Sequence, residues 1–272
     1  DGRPLGGFSA AAYQPKQDRL WLLSDAPIGH LVPLGGLVQW LDGQRDTLRP
    51  GRRLLLRGGD GQPLPEGFDG EGLVIEGRQA WIASEGRRSQ DRRARLIRID
   101  LGSGRLQQEL PLPQAWRATP GQGLGSNKGP ESLTALAPGD LLLAAEAPLL
   151  QHQAGDGISL VRRAPGDALR AAGGLDVGAA GRHDGLTELL ALPTRQQLLG
   201  LRRGFAPPDQ WTARLQLFDL PEPQEPPLQP IIGWDLLEAG LPPDNWEAMA
   251  LGPVLSDGRQ TLGLASDDNF NP

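Results

Sequence analysis

Carboxylates recur in this sequence beside short apolar runs, and their spacing could support the binding of a cation. In the stretch "NKGPESLTALAPGDLLLAAEAP" (residues 127–148), Glu131 precedes one apolar run, a Pro-Gly-Asp turn follows, and a second apolar run ends at Glu146. Carboxylates held within a few ångströms of one another repel and raise one another's pKa unless a cation lies between them. The two acids therefore indicate either strand caps or half of a binding site.

The same pattern of a polar residue, a short apolar run, a turn and a second apolar run occurs five times. The other copies are "GGFSAAAYQPKQDRLWLLSD", "GFDGEGLVIEGRQAWIASEG", "RHDGLTELLALPTRQQLLGLRRG" and "DNWEAMALGPVLSDGRQTLGLASDD". The aligned first polar residues are Ser9, Glu71, Glu131, Asp184 and Glu247, which follow one another at nearly even intervals. Regular internal periods of several tens of positions are typical of solenoids, propellers and arrays.

Two further strand-like runs follow each of the first four hairpins, such as "GGLVQWL" and "RRLLLRG" after the first. Four short strands per repeat are the content of one propeller blade. We therefore predict a single all-β domain over residues 1–272, a β-propeller of five blades with about four strands each, or of six blades if one connection contains a degenerate blade. The last repeat has only two strands, so we expect an incomplete last blade and a longer full protein. A single turn at residues 234–240 is the best helical candidate.

In such a fold the hairpin ends should converge on one mouth of the central channel, because the first strand of each blade is innermost and all blades share one axis. The facing pairs would be Ser9–Asp25, Glu71–Glu85, Glu131–Glu146, Asp184–Arg203 and Glu247–Asp267. Hard cations such as Ca²⁺ bind carboxylate and carbonyl oxygens. The predicted metal ligands are Glu71, Glu131, Asp184, Glu247 and Asp267, with the amides of Asn127, Asn245 and Asn269 nearby. Alternatively, the acids are structural and accept backbone N–H groups from the next blade.

Catalytic and anion-binding roles are predicted for fewer residues. Glu131 and Glu71 are the candidate catalytic carboxylates, and His183, one of three histidines, is a third catalytic candidate beside Asp184. Arg203 stands where other copies have an acid, so it could bind a substrate anion or pair with an acid of the neighbouring blade.

Two loops supply further candidate substrate-binding cations. Arg87 lies in "GRRSQDRRAR" (residues 86–95), a loop that should lie on the acidic face and could hold a phosphate, or could simply be solvated. Lys128 lies in the glycine-rich "GQGLGSNKG" (residues 121–129), which no helical pattern follows, so a P-loop is not expected. No G-x-S-x-G elbow occurs, which argues against serine hydrolase chemistry.

The composition limits the partners. The formal net charge of −6 argues against a broad nucleic-acid-binding surface. No apolar run approaches the roughly 20 residues that span a bilayer. The absence of cysteine excludes disulfides and Cys-ligated zinc. The expected partner is a small phosphorylated substrate, without nucleic acid or a membrane span, and the expected oligomeric state is a monomer.

Several motifs resemble one known family. "GGFSAAAY", "NKGPESLTAL", "LLLAAEAPL", "DGLTELLAL" and "NWEAMALGP" with "LASDDNFN" resemble the phytase-like proteins described by the phrase "esterase-like activity of phytase". The resemblance implies a β-propeller that bacteria export, with a periplasmic or extracellular location and a signal peptide already removed. By analogy with calcium-dependent propeller phytases, it also implies phosphoester hydrolysis over bound Ca²⁺. It carries the metal-ligand role onto Glu71, Glu131, Asp184, Glu247, Asp267 and Asp268.

Two functions remain open on the sequence. The first is a metal-dependent phosphoric ester hydrolase with an acidic site at the channel mouth, in which a carboxylate such as Glu131 accepts a proton from the attacking water. The second is a non-catalytic propeller that binds a ligand or a protein partner at the same mouth. Arg203 and the neutral Ser9 depart from an all-acid pattern. The resemblance therefore supports the fold more strongly than it supports the activity.

Overall fold

Short strands joined by tight turns make up nearly all the regular structure in the computed structural model, as 38 glycines and 26 prolines predict. The structure describes residues 6–65, 67–88, 93–153, 155–178, 184–192, 195–223 and 226–268. Within these ranges the strands form five antiparallel sheets.

The first two sheets come from the part of the chain between Phe8 and Leu110. The first sheet contains β1 (Phe8–Gln14), β2 (Arg19–Ser24), β3 (His30–Gly35), β4 (Arg49–Pro50) and β5 (Leu54–Leu55), and both β4 and β5 pair with β3. A 3₁₀ turn (Pro15–Gln17) joins β1 to β2, and the helix α1 (Leu37–Leu41) follows β3. The second sheet contains, in order, β6 (Gly70–Glu76), β7 (Gln79–Ser84), β8 (Arg95–Asp100) and β9 (Leu106–Leu110).

The remaining three sheets continue the same order. After a 3₁₀ turn (Gln114–Trp116), the third sheet contains β10 (Pro130–Ala137), β11 (Asp140–Ala145), β12 (Ile158–Arg163) and β13 (Arg170–Leu175). The fourth sheet contains β14 (Asp184–Leu192), β15 (Gln197–Ala206), β16 (Gln210–Asp219) and β17 (Ile232–Asp235). The fifth sheet is the hairpin of β18 (Trp246–Val254) and β19 (Gln260–Ser266).

The sheets are arranged as the blades of a β-propeller. The first strands β1, β6, β10, β14 and β18 contact one another in sequence, and β18 contacts β1, so the innermost strands form a closed ring. The apolar cores lie between neighbouring sheets rather than within one: Leu23 and Ile82 share a core between the first and second sheets, and Leu201 and Met249 share another between the fourth and fifth. The smaller core between the fifth and first sheets includes Ala248.

The predicted number of blades needs a correction. Among the described residues, four sheets have four or more strands, not five or six, and the fifth repeat contributes a two-stranded sheet. The fifth repeat falls short of a full blade because β19 is the last strand that the described part of the chain contains, so nothing there pairs with its outer edge.

The predicted helical turn at residues 234–240 is a turn but not a helix. Strand β17 ends at Asp235, and turns occupy residues 236–240, where the Ala239 N–H donates a hydrogen bond to the Asp235 carbonyl at 3.2 Å. Instead, the apolar run "GGLVQWL" contains α1, because Gly36 adopts a left-handed conformation after β3 and the carboxylate of Asp18 accepts the Val38 N–H at 3.1 Å. Short apolar runs do not separate strand from helix by periodicity alone. In the described part of the chain, no helix has the length and apolarity needed to cross a membrane.

Candidate functional site

A β-bulge at the start of each innermost strand fixes one ring of side chains at the channel mouth. The strand pairing shifts register between Phe8 and Ala10 in β1, and the four other innermost strands shift at the corresponding place. The bulge residues are Ser9, Glu71, Glu131, Thr187 and Glu247. A bulge redirects side chains and is common beside functional sites.

The two neutral members of this ring hold neighbouring blades together. Ser9 Oγ donates a hydrogen bond to the carbonyl of Gly70 at 2.6 Å, and Thr187 Oγ1 donates one to the carbonyl of Trp246 at 3.1 Å. Each acceptor is the residue just before the next bulge. The three glutamates of the ring have carboxyl or guanidinium neighbours instead, so their role differs from that of the hydroxyl residues.

A second ring comes from residues near the end of the second strand of each blade. Asp25, Glu85, Glu146 and Asp267 each follow the last residue of that strand, and Arg203 lies within β15. Two of them reach past a glycine at the start of the next blade. Glu85 Oε1 accepts the Gly129 N–H at 2.8 Å, and a Cβ at Gly129 would lie 2.4 Å from Glu85 Cγ. Gly185 is in the same relation to Glu146, since a Cβ there would lie 2.1 Å from Glu146 Oε1. Glycine at these positions allows both carboxylates to reach the site.

The two rings bring carboxylates into two groups that share one residue. Oxygens of Asp69, Glu71 and Glu85 lie within 4.8 Å of one another, and so do oxygens of Glu85, Glu131 and Glu146. Glu71, Glu85, Glu131 and Glu146 are all buried. Together with the acids around them, these residues form what we call the acidic cluster: Asp25, Asp69, Glu71, Glu85, Glu131, Glu146, Glu247 and Asp267.

Burial and mutual repulsion raise the pKa of the central carboxyls. Burial is the larger cause for Glu71 and Glu131, and both pKa values lie well above the usual range; Glu247 repels Glu71, and Glu71 repels Glu131. Burial raises the pKa of Glu85 to about 7, against the lowering effect of the Gly129 N–H bond. Buried carboxylates that repel one another are stabilised either by binding protons or by binding a metal cation.

The rim of the cluster shows the same effect. Burial raises the pKa of Asp25 to about 7, and repulsion from Asp267, Asp69 and Asp268 adds to it. The predicted ligand Asp268 lies at this rim, where its Oδ1 accepts the Gly7 N–H at 2.8 Å. The predicted ligand Asp267 is buried beside it.

Two of the predicted substrate-binding cations form ion pairs with the cluster. Lys128 Nζ donates a hydrogen bond to Glu146 Oε1 at 2.6 Å. Arg203 Nη2 donates one to Glu247 Oε1, across the boundary between the fourth and fifth sheets. Burial still raises the pKa of Glu247 to about 7, although Arg203 lowers it. The sequence had left open whether Arg203 binds an anion or pairs with a neighbouring blade's acid, and the structure places it in such a pair.

The third predicted cation, Arg87, lies beside a cavity that adjoins the cluster. Its charge lowers the pKa of Asp69, which burial nevertheless raises. The cavity has a volume of about 500 Å³, and Glu85, Arg87, Trp116 and Asn127 are among its lining residues. Part of its wall is the glycine-rich loop, which Arg88 holds by donating hydrogen bonds to carbonyls of that loop. A small molecule in this cavity would lie beside both a carboxylate of the cluster and the side chain of Arg87.

Two predicted residues do not join the cluster as expected. Asp184 was aligned with Glu131, but the bulge of β14 lies at Thr187, three positions later. Asp184 instead accepts a hydrogen bond from Arg202 Nη2 at 2.7 Å, on the adjacent strand β15. The bulges are more evenly spaced than the aligned polar residues, because Thr187 lies closer than Asp184 to the midpoint between Glu131 and Glu247. The predicted catalytic residue His183 lies outside the described residues.

Sequence reasoning missed Asp69 and Glu188. Asp69 has a left-handed backbone conformation, with φ of 55°, and its carboxyl is hydrogen bonded to Glu71. The signal was the spacing "DGE", in which two acids flank one glycine. Glu188 follows the bulge of β14, where the other blades carry alanine, glycine or serine. Its buried carboxylate accepts backbone N–H groups of Leu189, Leu133 and Met249, and no sequence pattern indicated this.

The dimensions of the cluster suit Ca²⁺. With Ca–O distances of about 2.3–2.6 Å, oxygens on opposite sides of the ion lie roughly 4.6–5.2 Å apart. The oxygens of each group lie within 4.8 Å of one another, so each group could supply three ligands to one ion with little movement. The donor set contains only oxygen, which hard cations prefer. A proton shared between carboxyls, as in the bonds of Glu71 with Asp69 and of Glu131 with Glu85, would be displaced by the ion.

A family model described as "Phytase-like: Esterase-like activity of phytase" matches residues 3–270. The chain belongs to this family. The matched region contains all five hairpins and both rings of the site, and therefore the whole acidic cluster. No curated protein matches the chain.

Solved structures with β-propeller folds show distant similarity to this phytase-like chain. The β-propeller domain of Cps50 (Swd1) from Myceliophteria thermophila is 13% identical with a TM-score of 0.43, over 98% of this chain and 64% of that one. Apo AztD from Citrobacter koseri is 14% identical with a TM-score of 0.37, over 88% and 48%. The RRP9 WD40 repeats are 10% identical with a TM-score of 0.42, over 96% and 73%. The chain therefore spans less than two thirds of the length of the first two proteins.

Proposed function

We propose that this protein is a metal-dependent phosphoric ester hydrolase whose site is the acidic cluster. The observation that carries the proposal is the two carboxylate groups that share Glu85, in which every residue but the half-buried Asp69 is buried. Repulsion within each group disfavours the ionised state in the absence of a cation. Membership of the phytase-like family supports a hydrolase-type activity, and the acidic cluster supports Ca²⁺ as the ion.

The structural alternative explains part of the cluster only. If the acids were strand caps, each would accept backbone N–H groups from the next blade. Glu85 does so through Gly129, and so does Asp268 beside the cluster through Gly7. Among the described residues, the carboxyls of Glu71 and Glu131 have carboxyl neighbours and no backbone N–H partner. Buried carboxyls without such partners are costly, and we infer that their role is to bind a ligand.

Each group in the site has a role in this proposal. Asp69, Glu71, Glu85, Glu131 and Glu146 would hold Ca²⁺, which neutralises the site and the phosphate charge and makes water more acidic when it is bound. Glu131 would accept the proton of the attacking water. A bound cation opposes the burial and repulsion that raise its pKa, and so keeps this buried carboxylate ionised for that role. Glu71 has the same chemistry and is the second candidate for this role.

The substrate would lie partly in the cavity beside Glu85. Arg87 supplies a guanidinium suited to a phosphate or carboxylate group, and Trp116 and Leu124 give the cavity apolar walls. The volume of about 500 Å³ suits a small molecule rather than a polymer. A small phosphorylated substrate is therefore the proposed partner. Lys128 and Arg203 hold carboxylates of the cluster in the absence of substrate, and a phosphate could compete for either.

The decisive experiment is the release of phosphate from p-nitrophenyl phosphate with Ca²⁺ and with EDTA. We expect activity only with Ca²⁺, and we expect Glu131→Gln to lower kcat by about a hundredfold, the usual contribution of a general base. Glu238→Gln is the control, because Glu238 is an exposed carboxylate in a turn after β17. Hydrolysis of p-nitrophenyl acetate, measured in parallel, separates phosphoric from carboxylic ester specificity.

Calcium binding without any ester hydrolysis would overturn the catalytic part of the proposal and leave the second function predicted from the sequence, a propeller that binds a ligand. Activity that persists in EDTA would overturn the metal-dependent part.

A further inference from the structure

A basic groove lies between the first two blades, away from the acidic cluster. It has a volume of about 1080 Å³ and is lined in part by Arg19, Arg49, Arg52, Arg53 and Arg57. Trp21, Pro33 and Pro50 contribute apolar walls, and the turn at residues 101–103 closes one side. No carboxylate is among the lining residues in the described part of the chain. In a protein with a formal net charge of −6, five arginines in one groove are a marked local excess of positive charge.

The groove and the acidic cluster lie at opposite ends of the strands. Arg19 is the first residue of β2, whereas Asp25 of the acidic cluster follows the last residue of the same strand. Six residues of extended chain span about 20 Å. The turn at residues 101–103 follows the end of β8 that lies away from the mouth, since β7 ends and β8 begins at the mouth. A ligand of the groove therefore does not contact the acidic cluster.

Arg49 and Arg52 of the groove are available for a ligand. Arg49 and Arg52 are exposed, and among the described residues no carboxylate lies within ion-pair distance of either. Arg57 donates a hydrogen bond to the carbonyl of Gly61, a neutral group that leaves its charge uncompensated. The guanidinium of Arg19 lies 5.6 Å from the centre of the Trp21 ring. The nearby carboxylate of Asp100 is engaged by the backbone and hydroxyl of Ser103.

The chemistry of this set favours phosphate groups. A guanidinium presents paired N–H donors that match the oxygens of phosphate, and it remains charged at all physiological pH values. Several arginines around one concave surface repel one another, and a polyanion relieves that repulsion. We infer that the groove binds a ligand with two or more phosphate groups, either a soluble polyphosphorylated molecule or the headgroup of an anionic lipid. The inference does not rest on the proposed hydrolase activity.

The test uses sodium tripolyphosphate as the soluble probe and isothermal titration calorimetry as the measurement, with EDTA present so that the acidic cluster holds no metal. We expect binding that weakens between 50 and 500 mM NaCl, because salt screens the attraction. The double variant Arg49→Gln/Arg52→Gln should bind about a hundredfold more weakly, since each of the two lost charged hydrogen bonds is worth about a factor of ten. Arg170→Gln is the matched control, because Arg170 is exposed on the outer strand β13 of the third blade.

A second arm identifies the source of the phosphate. Co-sedimentation with phosphatidylcholine vesicles, with and without cardiolipin, which carries two phosphate groups, tests a lipid headgroup. Dependence on cardiolipin and on Arg49 and Arg52 would assign the ligand to a membrane surface. Arg49→Lys/Arg52→Lys should retain part of the affinity, since charge remains without the paired donors, and circular dichroism should show that each variant is folded. The inference is overturned if neither probe binds, or if the variants and the Arg170 control bind alike.

Discussion

The Glu85 carboxylate lies against the backbone of Gly129, with its Oε1 accepting the Gly129 N–H at 2.8 Å, so a residue of the second blade completes a site on the third. Glu146 lies as close to Gly185 one blade further on, where a Cβ would lie 2.1 Å from Glu146 Oε1, and Arg203 forms an ion pair with Glu247 across the next boundary. The acidic cluster is therefore assembled across blade boundaries and depends on the closed ring of innermost strands.

The first prediction concerns the residue that both carboxylate groups share. Glu85→Gln should weaken every calcium-binding step by about tenfold or more, because a charged ligand is lost from both groups. Asp69→Asn should weaken one step only, because Asp69 belongs to one group. Calcium titrations by calorimetry, with Glu238→Gln as the control, measure both effects. Equal effects of the two variants would show that the groups do not bind separate ions around Glu85.

The second prediction concerns the pH dependence of the metal-free protein. Glu85, Glu247 and Asp25 have a pKa of about 7 in the folded state, against about 4 in an unfolded chain. Between these values the folded state binds more protons, so the free energy of unfolding falls as the pH rises from 5 to 8.

Measured in EDTA, the Tm should therefore fall by at least several degrees over this range. A single such group loses about 1.4 kcal/mol per pH unit below its folded pKa, and about 2 kcal/mol already corresponds to roughly 4–8 °C for a chain of this size. Saturating Ca²⁺ should raise the Tm most at pH 8, where the carboxyls are ionised, and Glu85→Gln should reduce the pH dependence. A Tm in EDTA that rises between pH 5 and 8 would contradict the raised pKa values.

The sequence predicted the convergence of Glu71, Glu131 and Glu247 because a regular repeat carries information about a ring. Residues at the same position in each repeat lie at the same height in the ring of blades. The three glutamates meet this expectation, because each is the bulge residue of its innermost strand. The fourth copy was misaligned because its acid, Asp184, occurs three positions before the bulge. The position of the bulge depends on pairing with the neighbouring strand, which the acid itself does not indicate.

Other features depend on contacts that no repeat pattern carries. Asp69 enters the cluster through a left-handed backbone conformation. The helix α1 forms where we predicted a strand. The carboxylate of Asp18, in the turn between β1 and β2, accepts the Val38 N–H in the first turn of this helix. The basic groove combines residues from the first blade with a turn of the second. These residues are far apart in the sequence, so the sequence alone does not indicate the groove.

The third prediction concerns the ion pair between Arg203 and Glu247. Arg203→Met should lower the free energy of unfolding by about 2 kcal/mol at pH 8, because a largely buried carboxylate loses its partner. At pH 5 the loss should be smaller, because Glu247, with a pKa of about 7, is protonated there. Urea unfolding at the two pH values measures the difference, and the added change Glu247→Gln should restore most of the stability at pH 8. A cost that is the same at both pH values would indicate that Arg203 acts through packing alone.

The fourth prediction compares two side chains at equivalent places in neighbouring blades. Glu188 and Ser132 each follow the bulge of an innermost strand, and both are buried. The Glu188 carboxylate accepts three backbone N–H groups, whereas the Ser132 hydroxyl has no hydrogen-bond partner among the described residues. Leaving a buried donor without a partner costs about 1–3 kcal/mol.

Glu188→Ala should therefore lower the free energy of unfolding by about 3 kcal/mol or more, since three N–H groups lose their acceptor, whereas Ser132→Ala should be neutral or slightly stabilising. Urea unfolding of both variants provides the measurement, and calcium titration provides the control, because neither residue belongs to the acidic cluster. If Glu188→Ala costs less than about 1 kcal/mol, the lower limit for one unpaired buried donor, water must replace the carboxylate among the three N–H groups. Glu188 would then not be needed to hold the innermost strands together.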